Sequence, residues 1–173
     1  MRDEKLSVLL VEDSPGDARL LRETLRDEPG ADYDITVATT LTEATERLAG
    51  QRYDAVLLDL SLPDSHGIDT FLTLHQKWPD VATVVLTGLD DESLAIRAVQ
   101  EGSQDYLVKG EVTGGTLVRS IRYAIERQRT SHYLAVMVER ERFDTAVSQM
   151  SDGIVVTDDE LRVTTANRAA QLL

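Results

Sequence analysis

Hydrophobic residues in this chain come in short blocks, and the blocks alternate with amphipathic stretches. Leu6 to Val11, Tyr33 to Ala38, Ala55 to Leu58, Val81 to Thr87 and Asp105 to Val108 are short, apolar and β-favouring, and each predicts a strand. Ser14-Pro15-Gly16-Asp17 predicts a helix start, with Ser14 as N-cap, Pro15 at the first helical position and Ala18, Leu21 and Leu25 as the apolar stripe. Glu28-Pro29-Gly30 ends that helix. Further helices are predicted over 42–48, stopped by Gly50, and over 67–78, carrying Ile68, Phe71, Leu72 and Leu74 or His75 and closed by Pro79. Asp90-Asp91-Glu92 suits the positive end of a helix dipole, and that helix runs through Leu94, Ala95, Ala98 and Val99 to Gly102. Thr113 or Thr116 starts a last helix.

Five strand–helix repeats argue for the α/β class, a doubly wound five-stranded parallel sheet with helices on both faces. Right-handed crossovers make the flavodoxin-like order 2-1-3-4-5 the expected one. The last helix overruns this plan, because no Pro or Gly interrupts 117–150. Val136, Phe143 and Met150 keep a seven-residue step, the spacing of a coiled-coil seam, but Gln128, His132 and Glu139 interrupt it. A solvated helical linker is the competing expectation. After Ser151-Asp152-Gly153, Ile154 to Thr157 and Leu161 to Thr165 predict two strands around an Asp158-Asp159-Glu160 turn, and Ala166 to Ala170 opens a helix. These residues are too few to bury a core and read as the opening of a further, α+β segment. The expected divisions are 1–127, 128–150 and 151–173.

The polar residues that close the strands carry the chemistry. The first strand ends on Glu12-Asp13, the third on Asp59, the fourth on Thr87 and the fifth on Lys109. In a doubly wound sheet all of these lie along one edge, beside the crevice where such folds bind ligands. Crowded carboxylates repel one another and call for a cation, and all-oxygen ligands suit Mg²⁺. A lysine and a hydroxyl beside one carboxylate can stabilise negative charge on a group arriving there, which fits phosphoryl transfer with Asp59 as nucleophile. Taken singly, the acids are as well explained as caps or turn residues, and Thr87 and Lys109 are better explained as a turn threonine and a surface lysine. Their joint placement on four strands carries the reading.

Charge narrows the partners. The 173 residues hold 31 Asp+Glu against 18 Lys+Arg, a formal net charge of -13, which disfavours nucleic acid and anionic membrane as direct partners. Lys5, Lys77 and Lys109 are the only lysines, and such an acidic, lysine-poor composition resembles that of proteins from salt-loving organisms; simple solubility is the alternative explanation. The absence of cysteine excludes disulfides and thiolate chemistry. No apolar run is long enough for a signal sequence or a membrane span, so a cytoplasmic location is expected. There is no P-loop, so ATP is not an expected substrate.

Over about 5–127 the chain resembles the receiver domain of two-component response regulators. The matching motifs are Val11-Glu12-Asp13, Leu58-Asp59-Leu60-Ser61-Leu62-Pro63-Asp64 with Gly67, Leu86-Thr87-Gly88, and Asp105-Tyr106-Leu107-Val108-Lys109. The resemblance implies that Asp59 accepts a phosphoryl group from a histidine kinase or phosphotransfer protein. It implies Mg²⁺ held by Asp13, Asp59, Glu12 and the Ser61 backbone carbonyl, a Thr87–Tyr106 switch pair, and Lys109 pairing with the phosphoryl group. Ser61 and Leu89 stand where the family tunes phosphoryl lifetime. Such a domain is a signalling module rather than an enzyme, although it assists its own phosphorylation and dephosphorylation. A homodimer through the fourth and fifth strands' face or the long helix is also expected.

One departure stands out: Gly110 follows Lys109 where the family commonly has proline. From Met150 the tail resembles the opening of a PAS sensor domain, on Met150 to Asp158, Val163 to Asn167 and Ala169-Ala170. Two other functions fit parts of the same pattern. A haloacid-dehalogenase-type phosphohydrolase would carry a second acid two residues after its nucleophile, where this chain has Ser61. A receiver-like fold kept only for interaction would not need the full set of polar residues. His66 and His75 are scattered, and His132 lacks the acidic neighbour of a phosphorylated kinase histidine.

Overall fold

The computed structural model describes residues 5–29, 32–88, 92–149, 152, 154–167, 169 and 170. The chain divides into two compact units, Met1–Arg129 and Thr130–Leu173. The first contains, in order, β1 (Leu6–Val11), α1 (Pro15–Arg26), β2 (Tyr33–Ala38), α2 (Leu41–Gly50) and β3 (Ala55–Asp59). Two short strands follow, β4 (Ser61–Leu62) and β5 (Ser65–His66), then α3 (Ile68–Lys77), β6 (Ala82–Thr87), α4 (Glu92–Gln100) and β7 (Asp105–Val108). Helix α5 (Gly114–Gln149) begins in this unit, and β8 (Val155–Thr157) and β9 (Val163–Ala166) belong to the second.

Five strands pair in parallel in the order β2-β1-β3-β6-β7. This is the expected 2-1-3-4-5 order. The labels run on because β4 and β5 form a small antiparallel hairpin that no alternation in the sequence announces. Side chains of a strand alternate between faces, so each apolar run supplies two cores at once. Val8, Leu10, Ala55, Leu57, Val84 and Leu86 face α1 and the start of α5. Leu9, Val11, Val56, Leu58 and Val85 face α2, α3 and α4. All five residues of β3 are buried, as a central strand covered on both faces requires.

Local signals set the helix ends. The Ser14 side chain accepts from the Asp17 N–H, with Pro15 at the first helical turn, as predicted. Gly67 holds φ 66°, a left-handed conformation open to glycine, as the chain turns from the hairpin into α3. Of the acids predicted to open α4, Asp90 and Asp91 lie outside the described residues, as does Leu89.

Helix α5 packs on the sheet through Leu117, Ile121, Ala124 and Ile125. Gln128, a doubtful seam position in the sequence, is tied to the first unit instead. Its Nε2 donates to the Pro79 carbonyl at 3.0 Å, and its Oε1 accepts from Gln104 Nε2 at 2.8 Å. Arg127 Nη1 donates to the Gln104 carbonyl at 2.9 Å. From Thr130 to Arg140 every residue is exposed, including Tyr133, Leu134, Val136 and Met137. Phe143 is exposed too, and Met150, the last predicted seam residue, lies outside the described residues.

In the second unit β8 and β9 form an antiparallel hairpin. Asn167, buried, joins it to the last turn of α5. Its Nδ2 donates to the carbonyls of Val147 at 3.1 Å and Asp152 at 2.8 Å, and its Oδ1 accepts the N–H groups of Ile154 at 2.9 Å and Ala170 at 3.0 Å. Asn167→Ala strands these groups and is expected to destabilise this unit by about 3 kcal/mol. Limited proteolysis should then cut after residue 145 while the first unit stays resistant; equal resistance in both units would refute the network's importance.

Candidate functional site

The site forms where β1, β3 and β7 end. Asp59 is the last residue of β3 and pairs in register with Leu86, so Thr87 lies one residue further along β6. Asp59 shares the alternation of Ala55 and Leu57, toward the α1 and α5 face. Thr87 shares that of Val85, and Tyr106, paired with Val85, packs against the opposite core. The predicted switch residues thus stand on the α4 side of the sheet and the phosphoacceptor candidate on the other.

Glu12, Asp13 and Asp59 each bring a carboxylate oxygen within 4.8 Å of the others. Glu12 and Asp59 are buried and Asp13 is exposed. Lys109 reaches into this group. Its Nζ donates to Asp59 Oδ2 at 2.6 Å and forms an ion pair with Glu12 Oε2, also at 2.6 Å. Only the Asp59 contact has hydrogen-bond geometry, so Glu12 Oε2 is buried beside a cation without a directed bond. Backbone donors take the other oxygens: the Ser14 N–H binds Glu12 Oε1 at 3.0 Å, and the Ser61 N–H binds Asp59 Oδ1 at 3.0 Å. Both buried carboxylates are therefore oriented by the residue two positions on.

Burial pushes the Glu12 carboxyl up, against the lowering effect of Lys109 and the Ser14 amide, and the neighbouring Asp59 charge adds to the rise. Burial pulls the Lys109 ammonium down, but its contacts with the Asp59 and Glu12 carboxylates outweigh this and hold it above its usual value. One lysine stands among several acids, so the site has a deficit of positive charge. Its donors are all hard oxygens. The residues therefore fit a small divalent cation of the magnesium kind. Thr87 Oγ1 is buried and has no hydrogen-bond partner among the described residues. A buried hydroxyl without a protein partner is open to a water molecule or to an acceptor that arrives from outside.

Two residues here escaped the sequence reading. Asp17, in the first turn of α1, brings Oδ2 to 3.7 Å from Lys109 Nζ. Its signal was the step of four from Asp13 on an opening helix. Asp64, at the turn of the β4–β5 hairpin, was legible only as part of a motif. Its Oδ1 accepts the Leu41 N–H at 2.8 Å, and its Oδ2 accepts the Thr42 N–H at 2.9 Å and the Thr42 hydroxyl at 2.8 Å. Slight burial pushes its carboxyl up, but these donors outweigh it and hold it below its usual value. The stability Asp64 contributes is thus complete above the unfolded value of about 3.9 and lost as pH falls through the lower folded one. The melting-temperature gap between wild type and Asp64→Ala should be constant from pH 5 to 7 and shrink below about pH 4; a constant gap down to pH 2.5 would contradict this.

Lys109 opens a single 3₁₀ turn, Lys109–Glu111, and the described residues contain no cis peptide bond. The Gly110 departure leaves Lys109 in reach of Asp59. Of the histidines, His66 and His132 are exposed and His75 stacks on Phe71 at 5.1 Å; none joins the site.

A doubly wound sheet of this order, with acids and one lysine on its carboxyl edge, defines a receiver-type signalling domain. The chain belongs to the response regulator receiver domain family, whose model matches residues 8–122. Its role is that of a phosphoacceptor domain in two-component signalling. It is 36% identical over 121 residues to the KDP operon transcriptional regulatory protein KdpE of Escherichia coli, covering 70% of this chain and 52% of that protein. It is also 36% identical over 100 residues to the regulatory protein LuxO of Vibrio cholerae, covering 58% of this chain and 21% of that one. The chain thus spans about half or less of these curated relatives. Among solved structures, the signal receiver domain of a LuxO-type repressor from Vibrio parahaemolyticus is 28% identical with a TM-score of 0.64, over 76% of this chain and 98% of that one. A PAS domain model matches residues 141–173. No helix among the described residues is long and apolar enough to cross a membrane.

Proposed function

We propose that Asp59 is the phosphoacceptor and that a histidine kinase or phosphotransfer protein is the donor. The observation that carries this reading is the Asp59 carboxylate, buried yet held between the Ser61 amide and the Lys109 ammonium. An Asp59 oxygen forms its bond to phosphorus as the phosphorus–nitrogen bond of the donor histidine breaks, and the electron pair stays with the imidazole. Lys109 then meets the charge on the transferred group, and the Thr87 hydroxyl, without a partner among the described residues, donates to one of its oxygens. Drawing Thr87 inward leaves room for the Tyr106 ring to follow, which biases two arrangements of the β6–β7 face. Glu12, Asp13, Asp59 and the Ser61 carbonyl would hold Mg²⁺, which when bound supplies neutralising charge. The domain works in the cytoplasm and is not a turnover enzyme.

The donor would approach along α1. A shallow groove lined by Asp17, Leu20, Leu21, Thr24 and Val112 adjoins Lys109, and Leu20 is an exposed apolar residue beside it. Leu20→Glu is expected to slow transfer from a phosphorylated protein donor about tenfold and to leave uptake from a small phosphodonor unchanged. Equal slowing with both donors would argue against this approach. The exposed Val136 and Phe143 support a homodimer along α5, which would relay the switch to the PAS-like segment. The test of the main reading is uptake of phosphate from a small phosphodonor by the intact chain, with and without Mg²⁺; metal-independent labelling would overturn it.

A further inference from the structure

Asp64 does two things at once. It satisfies the N–H groups of Leu41 and Thr42, the first two of α2, while Thr40 takes the third, that of Glu43, at 3.1 Å. A helix start leaves such donors orphaned, and a carboxylate there also meets the positive end of the dipole. The cap on α2 is therefore divided between Thr40, in its own chain segment, and Asp64, 22 positions beyond Thr42.

The other end of this arrangement is the acid site. Asp64 sits at the turn of the hairpin that begins at Ser61, and Ser61 donates its N–H to Asp59. The segment is closed by the Gly67 N–H on the Leu60 carbonyl at 2.7 Å and by Leu62, which is buried. Ser61 itself is exposed, as are Pro63 and Asp64. The hairpin thus has one apolar anchor; Asp64 ties its tip to α2, and Ser65 Oγ, 2.8 Å from Thr70 Oγ1, ties its second strand to α3. Helix α2 follows β2, whose end supplies no acid to the site. Through Asp64 it nevertheless becomes the support for the backbone that orients Asp59.

We propose that Asp64 is a positioning residue for the phosphoacceptor: by pinning the hairpin tip to the first turn of α2, it holds the Ser61 amide on Asp59 and the Ser61 carbonyl at the cation site. The second part rests on the reading of Asp59 and its cation given above. A helix cap alone would stabilise α2 without reaching Asp59, so the two roles make different predictions.

The test compares wild type, Asp64→Ala, Asp64→Asn and Thr40→Ala in the full chain. Amide hydrogen exchange of Ser61 and Gly67 is read by NMR, and Mg²⁺ affinity by titration calorimetry. In Asp64→Ala these two amides are expected to exchange at least tenfold faster and Mg²⁺ to bind several-fold more weakly. Asp64→Asn, which keeps one acceptor oxygen, should fall between that variant and wild type. Thr40→Ala, which removes only the local cap, should lower the melting temperature without either change. Unchanged Ser61 exchange in both Asp64 variants would overturn the proposal. Wild type that binds no Mg²⁺ would instead overturn the cation reading, while the exchange data would still decide whether Asp64 holds the Ser61 amide.

Discussion

Asp59→Asn is expected to reduce Mg²⁺-dependent phosphoryl uptake to background, at least about a hundredfold. The amide has no charge and no nucleophilic oxygen, whereas its geometry is close to that of the carboxylate. It can still accept the Ser61 N–H, so the fold should survive with a melting temperature near that of wild type. The loss would then be chemical rather than structural. Phosphate incorporation by intact-mass spectrometry with a small phosphodonor reads this directly. Undiminished labelling of the variant would sink the assignment of Asp59. Labelling lost together with the fold would be seen in the melting curve.

Lys109→Met is expected to have the largest effect on stability. Lys109 is the cation between Glu12 and Asp59, and both are buried. Removing one partner of a buried pair leaves uncompensated charge, a loss of about 3–5 kcal/mol. The pH dependence follows from Glu12. Its carboxyl is already raised by burial, and Lys109 is what restrains the rise. Without Lys109 the folded value climbs further above the unfolded one, so the folded state binds protons more readily. The destabilisation is therefore full at neutral pH and is relieved as pH falls through the folded value toward 4.5. Mg²⁺ at millimolar concentration should restore part of the loss by replacing the missing charge. Denaturant titrations at pH 7.5 and 5.5, with and without Mg²⁺, measure all three effects. A variant equally stable at both pH values and indifferent to Mg²⁺ would show that the acid cluster is well solvated.

The two variants probe different properties of the same cluster. In the proposed reading Asp59 supplies the reacting oxygen, and Lys109 offsets the cost of burying that carboxylate beside Glu12. Asp17 adds a further acid to the lysine's surroundings, which explains why one cation cannot satisfy the site.

Periodicity and local start and stop residues determined the five sheet strands and the helices between them, though not the β4–β5 hairpin, because apolar blocks and 3.6-residue spacing are local properties. The strand-end acids, Thr87 and Lys109 were legible for the same reason: they interrupt apolar runs where a carboxyl edge must lie. Tertiary structure decided the rest. Only the sheet register sets Asp59 opposite Leu86 and so one step out of phase with Thr87, since an unbroken apolar run such as Ala55 to Leu58 looks the same from either side. Only folding brings Asp64 to α2 and Gln128 to Pro79, because these contacts join residues 22 to 49 positions apart through side chains that read locally as a turn acid and a helix-surface amide. A hydrogen bond between distant segments leaves no periodic trace in the chain that makes it.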